Sequence, residues 1–270
     1  MPKPGEMLSH AILWLLLLLT VAPFILMVIR SFKTFAQAMQ TDLLPSLPLH
    51  YGGYVRAWDA IHQYAFNSLV VSAASLVGAL LFASLSSYVF GRCDFPGRTV
   101  LFYSLITLMM LPGILGLIPR FILIVRLGMI NSLWGLILVY WASQVFMIFV
   151  LRTFVESLPE ELFEAARIDG AGHLQLYWHI TVPLSAPVLS VLAILNVLQT
   201  WNDYIWPLLV IRENALRTIP LGLVYLKSSP IPDPGAEMAS YVLASLPLLV
   251  IFVFTMRSFV QGLTSGALKV

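Results

Sequence analysis

Five of the thirteen acidic residues, Glu156, Glu160, Glu161, Glu164 and Asp169, fall within fourteen consecutive positions of a 270-residue chain that is otherwise poor in charge. Acids placed behind Pro159 suit the positive end of a short helix, and Gly170 and Gly172 can supply its stop and its exit. Leu162, Ala165, Ala166 and Ile168 can share one face of that helix, and the small alanines can admit the backbone of another protein. The same helix can instead lie on the chain's own bundle, and physics alone leaves both readings open. A second polar group interrupts apolar sequence: Asn196, Gln199, Thr200, Asn202 and Asp203, flanked by Trp201 and Trp206. Planar polar side chains beside aromatic rings can bind sugar hydroxyls and cover their C–H faces. They can also act as glue between helices. Arg120, behind Pro119, is a third polar interruption.

None of these groups forms an enzyme's machinery. The sequence has no HExxH, no GxSxG, no clustered Asp pair and no GxxxxGKS loop, so nucleophilic, metal-assisted and nucleotide chemistry lack their usual carriers. Cys93 is the single cysteine, and His10, His50, His62, His173 and His179 lie at spacings that suit no common metal site. No cofactor is expected in this chain.

The elements that must position the polar groups are helices in lipid. The chain is 59% hydrophobic and 10% charged, with a mean hydropathy of +0.89, whereas soluble domains are about 45–50% apolar and about 25% charged. A net charge of +2 argues against nucleic acid as a partner. Six stretches, roughly 11–29, 66–90, 100–124, 132–151, 182–211 and 240–260, approach or exceed the length of about 20 residues needed to cross a bilayer. Alternating β-barrel segments are absent. The first stretch ends at Arg30 and Lys33 rather than at a small-residue cleavage site, which identifies a retained helix instead of a signal peptide.

Charge does not orient the bundle. With the termini inside, the inner segments carry Lys3, Arg92, Arg98, Arg152, Arg167, Arg257 and Lys269. The outer ones carry Arg30, Lys33, Arg56, Arg126, Arg212, Arg217 and Lys227, a tie by the positive-inside rule. The two arginines of the short turn 91–99 tilt the balance towards termini inside. The connector 31–65 can hold a short amphipathic helix around 54–61, and the Pro-dense stretch 229–235 resists regular structure. No internal repeat, low-complexity tract or second domain is found, so the expectation is one domain over 1–270.

The run Glu164-Ala165-Ala166, three residues, Gly170, nine residues, then Ile180-Thr181-Val182-Pro183 resembles the EAA loop of ABC-importer permeases. Asp169-Gly170-Ala171-Gly172, Pro183 and Pro187, the cluster Trp201-Asn202-Asp203-Tyr204 with Trp206-Pro207-Leu208, and Gly128-Met129-Ile130-Asn131-Ser132 are similar to the MalG-type carbohydrate permeases. Val182 departs from the more usual leucine.

The resemblance implies an all-α polytopic bundle of six transmembrane helices, with segment 156–183 forming a cytoplasmic coupling helix and both termini in the cytoplasm of a prokaryotic cell. Glu164, Ala165, Ala166, Asp169, Gly170 and Pro183 would then meet an ATP-hydrolysing ABC subunit, whose dimer binds the ATP and magnesium. It further implies a second, MalF-like permease, an extracytoplasmic solute-binding protein and a sugar substrate, a di- or oligosaccharide before glycerol 3-phosphate. An ion-driven secondary carrier is the competing class, although such carriers usually show repeats and more buried charge. Arg120, Asn196, Gln199, Trp201, Asn202 and Asp203 are the expected lining of the solute path. Pro112, Gly113, Gly116 and Pro119 should break the third span into a possible gate, and an Arg120–Asp203 ion pair is one way to keep two charges at membrane depth.

Overall fold

The computed structural model describes residues 4–40, 44–227 and 233–267, with the side chains of residues 4, 5 and 254–267 excepted. Lys3, Lys269 and most of the Pro-dense stretch lie outside the described residues. The helices, in chain order, are α1 (Pro4–Ser31), α2 (Phe35–Gln40), α3 (Gly52–Arg92), α4 (Arg98–Met110), α5 (Leu117–Arg126), α6 (Leu133–Ala142) and α7 (Val145–Glu156). There follow α8 (Glu160–Ile168), α9 (His173–Leu176), α10 (Val182–Leu184), α11 (Ala186–Asn202), α12 (Ile205–Val210), α13 (Ile219–Lys227) and α14 (Pro234–Ala267). No strand occurs among the described residues.

Three helices are long and apolar enough to cross a membrane by themselves, within α1, α3 and α14, and three bent pairs bring the number of spans to as many as six. The pairs bend by 103° between α4 and α5, 40° between α6 and α7, and 75° between the α9–α10 segment and α11. The first bend is the one expected from Pro112: Gly113–Gly116 forms a 3-10 turn there. The second has no Pro or Gly behind it. At that break Gln144, itself buried, turns its side-chain amide back to donate to the Tyr140 carbonyl.

The apolar run 182–211 is divided as well. Its helix stops at Asn202, where Asp203 turns extended and its Oδ1 accepts the Trp206 N–H at 3.2 Å to start α12. Residues 54–61 belong to the long α3 rather than to a separate helix. Nothing between Tyr54 and Val77 is a Pro or Gly that would stop propagation.

The chain forms two compact units. In the unit of Met1–Gln63 and Gly222–Pro247, the backbone of Gly235 approaches the Lys33 carbonyl so closely that a Cβ there would lie 2.2 Å from the oxygen. Arg56 Nε donates to Asp233 at 2.7 Å. Burial pushes the Asp233 carboxyl up, but Arg56 and the N–H groups of Ala236 and Gly235 outweigh it and hold the group below the ordinary carboxylate range. The stabilisation is therefore present above that range and is lost as pH falls through the lowered value.

In the unit of Tyr64–Leu221 and Leu248–Val270, α3 is the axis. Small residues let neighbours come close: Ala79 and Ala83 pack with Met147 and Leu151 of α7 and Leu192 of α11, all buried. Ser72 accepts a hydrogen bond from Thr200 at 3.1 Å. Gly78 lies flat beneath the Trp141 ring, whose Nε1 donates to the Ala74 carbonyl at 2.9 Å. A Cβ at 78 would fall 2.1 Å from that nitrogen. Gly78→Val is expected to lower the stability of the detergent-solubilised protein by about 1–3 kcal/mol through overpacking. Gly113→Ala, where a Cβ meets open space, should leave the melting temperature unchanged in the same thermal scan.

Candidate functional site

Two polar sites emerge, both in the second unit. The first is the segment between α7 and α11. Pro159 precedes α8, Glu160 and Glu161 occupy its first turn, and Arg167 lies in its last. The helix ends as its sequence demands: Gly170 takes φ +85, its N–H donates to the Arg167 carbonyl at 3.0 Å, and the Ala171 N–H donates to the Ala166 carbonyl at 2.9 Å. These two bonds with a left-handed glycine are a Schellman stop.

The buried face of α8 differs from the face suggested by the apolar residues. Phe163 is fully buried, packed with Tyr88, Leu176 and Tyr177, and Ala166 leans on the same cluster. Leu162, Ala165 and Ile168 are exposed, Ile168 by 86%. The largest side chain took the interior, because an aromatic ring removes more apolar surface from water than the residues around it.

One arginine of α3 fastens this segment. Arg92 donates from Nη2 to the carbonyls of Val155 and Leu158, both at 2.6 Å, and from Nε to Val155 at 3.1 Å. It also pairs with Glu160, and its guanidinium lies over the Phe163 ring at 4.2 Å. Glu160 in turn accepts from Arg167 at 3.0 Å. Tyr88 and His173 Nδ1 lie 3.0 Å apart, and Ser84 and Tyr177 share a hydroxyl bond of 2.7 Å. Beside them, burial pushes the Cys93 thiol above its ordinary value, with Arg98 and Arg167 opposing.

The outward surface of the segment carries Glu161, Glu164, Ala165, Ile168, Asp169 and Gly170, all exposed. A hollow of about 300 Å³ lies behind it, bordered by Ala166, Asp169, Gly170, His179 and Ile180. Pro183 is exposed in the first turn of α10. The residues with chemistry are thus free on one side while Phe163 and Arg92 hold the other. Sequence reasoning missed both anchors. Phe163 had a usable signal as the one aromatic in a polar helix, and Arg92 had only its place in an arginine-rich turn.

The second site is a cavity of about 400 Å³ bordered by residues from all three bent spans. Gly113, Leu117 and Arg120 come from the first, Tyr140 and Ser143 from the second, and Gln199, Asp203 and Trp206 from the α11–α12 run. Asp203 accepts from the Tyr140 hydroxyl at 2.8 Å through Oδ2 and forms no ion pair with Arg120 among the described residues. Asn196 and Trp201 are buried elsewhere in the bundle, and Asn202 is exposed with its amide donating to the Leu198 carbonyl at 2.8 Å. The structure therefore brings Arg120, Gln199 and Asp203 together, leaves Asn196, Trp201 and Asn202 apart from them, and adds Tyr140 and Ser143.

Comparison with known proteins matches residues 87–265 to the model of the family described as "Binding-protein-dependent transport system inner membrane component". The chain is 30% identical over 269 residues to the diacetylchitobiose uptake system permease protein NgcG of Streptomyces coelicolor, covering 97% of this chain and 88% of that protein. It is 35% identical over 207 residues to the arabinooligosaccharides transport system permease protein AraQ of Bacillus subtilis, covering 77% and 73%. The fold is similar to a chain in the crystal structure of a bacterial ABC transporter involved in the import of the acidic polysaccharide alginate, with a TM-score of 0.84, 24% identity and coverage of 96% and 99%. A second alginate ABC transporter structure, in complex with an alginate pentasaccharide-bound periplasmic protein, aligns with a TM-score of 0.67 at 17% identity over 93% and 91% of the two chains. With about two thirds of its length inside the family match and a 30% identical relative aligned over 97% of it, this chain belongs to the inner-membrane components of binding-protein-dependent transport systems.

Proposed function

We propose that the chain is one permease half of an ATP-binding-cassette importer that carries a di- or oligosaccharide, with α8 as the lever worked by a separate ATPase dimer. The observation that carries this reading is the two-sidedness of α8: Phe163 and Arg92 fix its inner face, while Glu164, Ala165, Asp169 and Gly170 are open to a partner. A rigid mount with a free outer face is what a mechanical coupling requires, because force on the outer face must reach α3 rather than dissipate in a loose loop. The named relatives that carry oligosaccharides support a sugar as the solute.

In this reading α8 and both termini face the cytoplasm, and ATP and magnesium stay on the ATPase subunits. A MalF-like permease completes the pore, and an extracytoplasmic binding protein delivers the sugar. When ATP closes the ATPase dimer, its surface pushes α8, and α3 follows through Arg92. The breaks that border the cavity, at Gly113, Ser143 and Asp203, then change its access.

Two substitutions separate docking from transmission. A side chain at Gly170 meets nothing within 4 Å of the chain itself, so Gly170→Asp should insert normally, while its strained backbone and its charge act on the partner surface. Co-purification from membranes should lose the ATPase, and ATP-driven uptake should be abolished; retained ATPase and unchanged uptake would contradict the docking role. Arg92→Lys keeps the charge but cannot reproduce the planar fork that reaches two carbonyls and Glu160. It should leave the ATPase bound and hydrolysing while sugar uptake falls by about tenfold, the scale of one lost charged hydrogen bond. Parallel loss of hydrolysis and uptake would instead mark Arg92 as a folding residue.

A further inference from the structure

The cavity where the three bent spans meet holds one cation with no partner. Arg120 projects from α5, is exposed, and forms no hydrogen bond or ion pair among the described residues. The carboxylate in the same cavity is differently placed. Asp203 Oδ2 accepts from the Tyr140 hydroxyl at 2.8 Å and Oδ1 from the Trp206 N–H at 3.2 Å, so both of its oxygens are engaged. Tyr140 and Trp206 also border the cavity, which gives it aromatic and polar surface together, with Ser143 and Gln199 as further hydrogen-bonding groups. The planar fork of donors on this exposed guanidinium matches a carboxylate.

We propose that this cavity is a solute subsite for a saccharide bearing a carboxylate, with Arg120 pairing the carboxylate and Gln199, Ser143 and the Tyr140–Asp203 pair meeting sugar hydroxyls. Arg120 and Asp203 together carry no net charge, so a bound carboxylate leaves the cavity at −1 and a phosphate dianion would leave it at −2; the smaller charge is repelled less by Asp203 while it pairs with Arg120. The inference rests on the importer reading and adds to it the charge of the solute.

The test uses the importer assembled with its own partner subunits and reconstituted in liposomes. The probes are labelled trigalacturonate and the same trisaccharide after reduction of its carboxylates, so that only charge and its hydrogen bonds differ. Wild type should take up trigalacturonate in preference to the reduced sugar. Arg120→Gln should raise the KM for trigalacturonate by about tenfold, the scale of a lost charge-assisted hydrogen bond, and raise the KM for the reduced sugar by a clearly smaller factor. Arg120→Lys should keep most of the preference, which separates charge recognition from packing. Uptake confined to the reduced sugar, no uptake of either probe, or an equal effect of Arg120→Gln on both would overturn the subsite. ATP-driven uptake of the reduced sugar alone would leave the importer reading standing. Uptake that persists without ATP would overturn the importer reading, and the response of Arg120→Gln to the two probes would still decide the subsite.

Discussion

The guanidinium of Arg92 is the joint on which the rest of the arrangement depends. It ends α3, closes the last turn of α7 by donating to the Val155 carbonyl, holds the Leu158 carbonyl ahead of α8, and covers the Phe163 ring. The C-terminal carbonyls of a helix have no partner inside that helix, and a buried carbonyl left alone is costly. Here one side chain meets one such carbonyl, that of Val155, together with the Leu158 carbonyl in the turn beyond it, and gains Glu160 as its counter-ion. The segment carrying α8 is therefore fastened to α3 through hydrogen bonds and a ring, which resist bending better than an apolar contact alone. Its outer face stays free because everything adhesive points the other way.

A second constraint governs the middle of the bundle. Backbone groups released at a helix break cannot face lipid, so breaks must gather where protein or water can receive them. Three breaks border one cavity, those at Gly113, at Ser143 and at Asp203 after α11, while the 75° bend before α11 lies outside its lining. Gln144 answers the Tyr140 carbonyl at one break, and the Asp203 side chain answers the Trp206 N–H at another. The same requirement that collects the breaks also collects polar side chains around the cavity.

Sequence carried the local features well and the long-range ones poorly. Pro159, the acids behind it and Gly170 are signals read within one turn of α8, so the short helix and its left-handed stop were legible. The break at Pro112 was legible for the same reason. The break at Gln144 was not, because it contains no Pro or Gly and is held by a side chain folding back onto Tyr140. The inner face of α8 was not legible, since Leu162 and Ile168 look as apolar as Phe163, and only the presence of Tyr88 and Tyr177 decides which side is buried. Among the polar residues of 196–203, helical spacing could not tell the buried Asn196 from the cavity-facing Gln199, because only the neighbouring helices decide which side of α11 is covered, and the break after Asn202 redirects Asp203.

The claim that α8 moves with α3 as one body is tested most directly by a distance. Spin labels at Glu164, exposed on α8, and at Asp94, whose side chain is 98% exposed just beyond α3, would be placed in a Cys93-free background and followed by pulsed electron resonance in the assembled importer. The account requires the same narrow distance distribution with and without ATP, while hydrolysis and uptake proceed. A distribution that shifts or broadens when ATP binds, in a complex that still transports, would show α8 moving independently of α3 and would contradict the account.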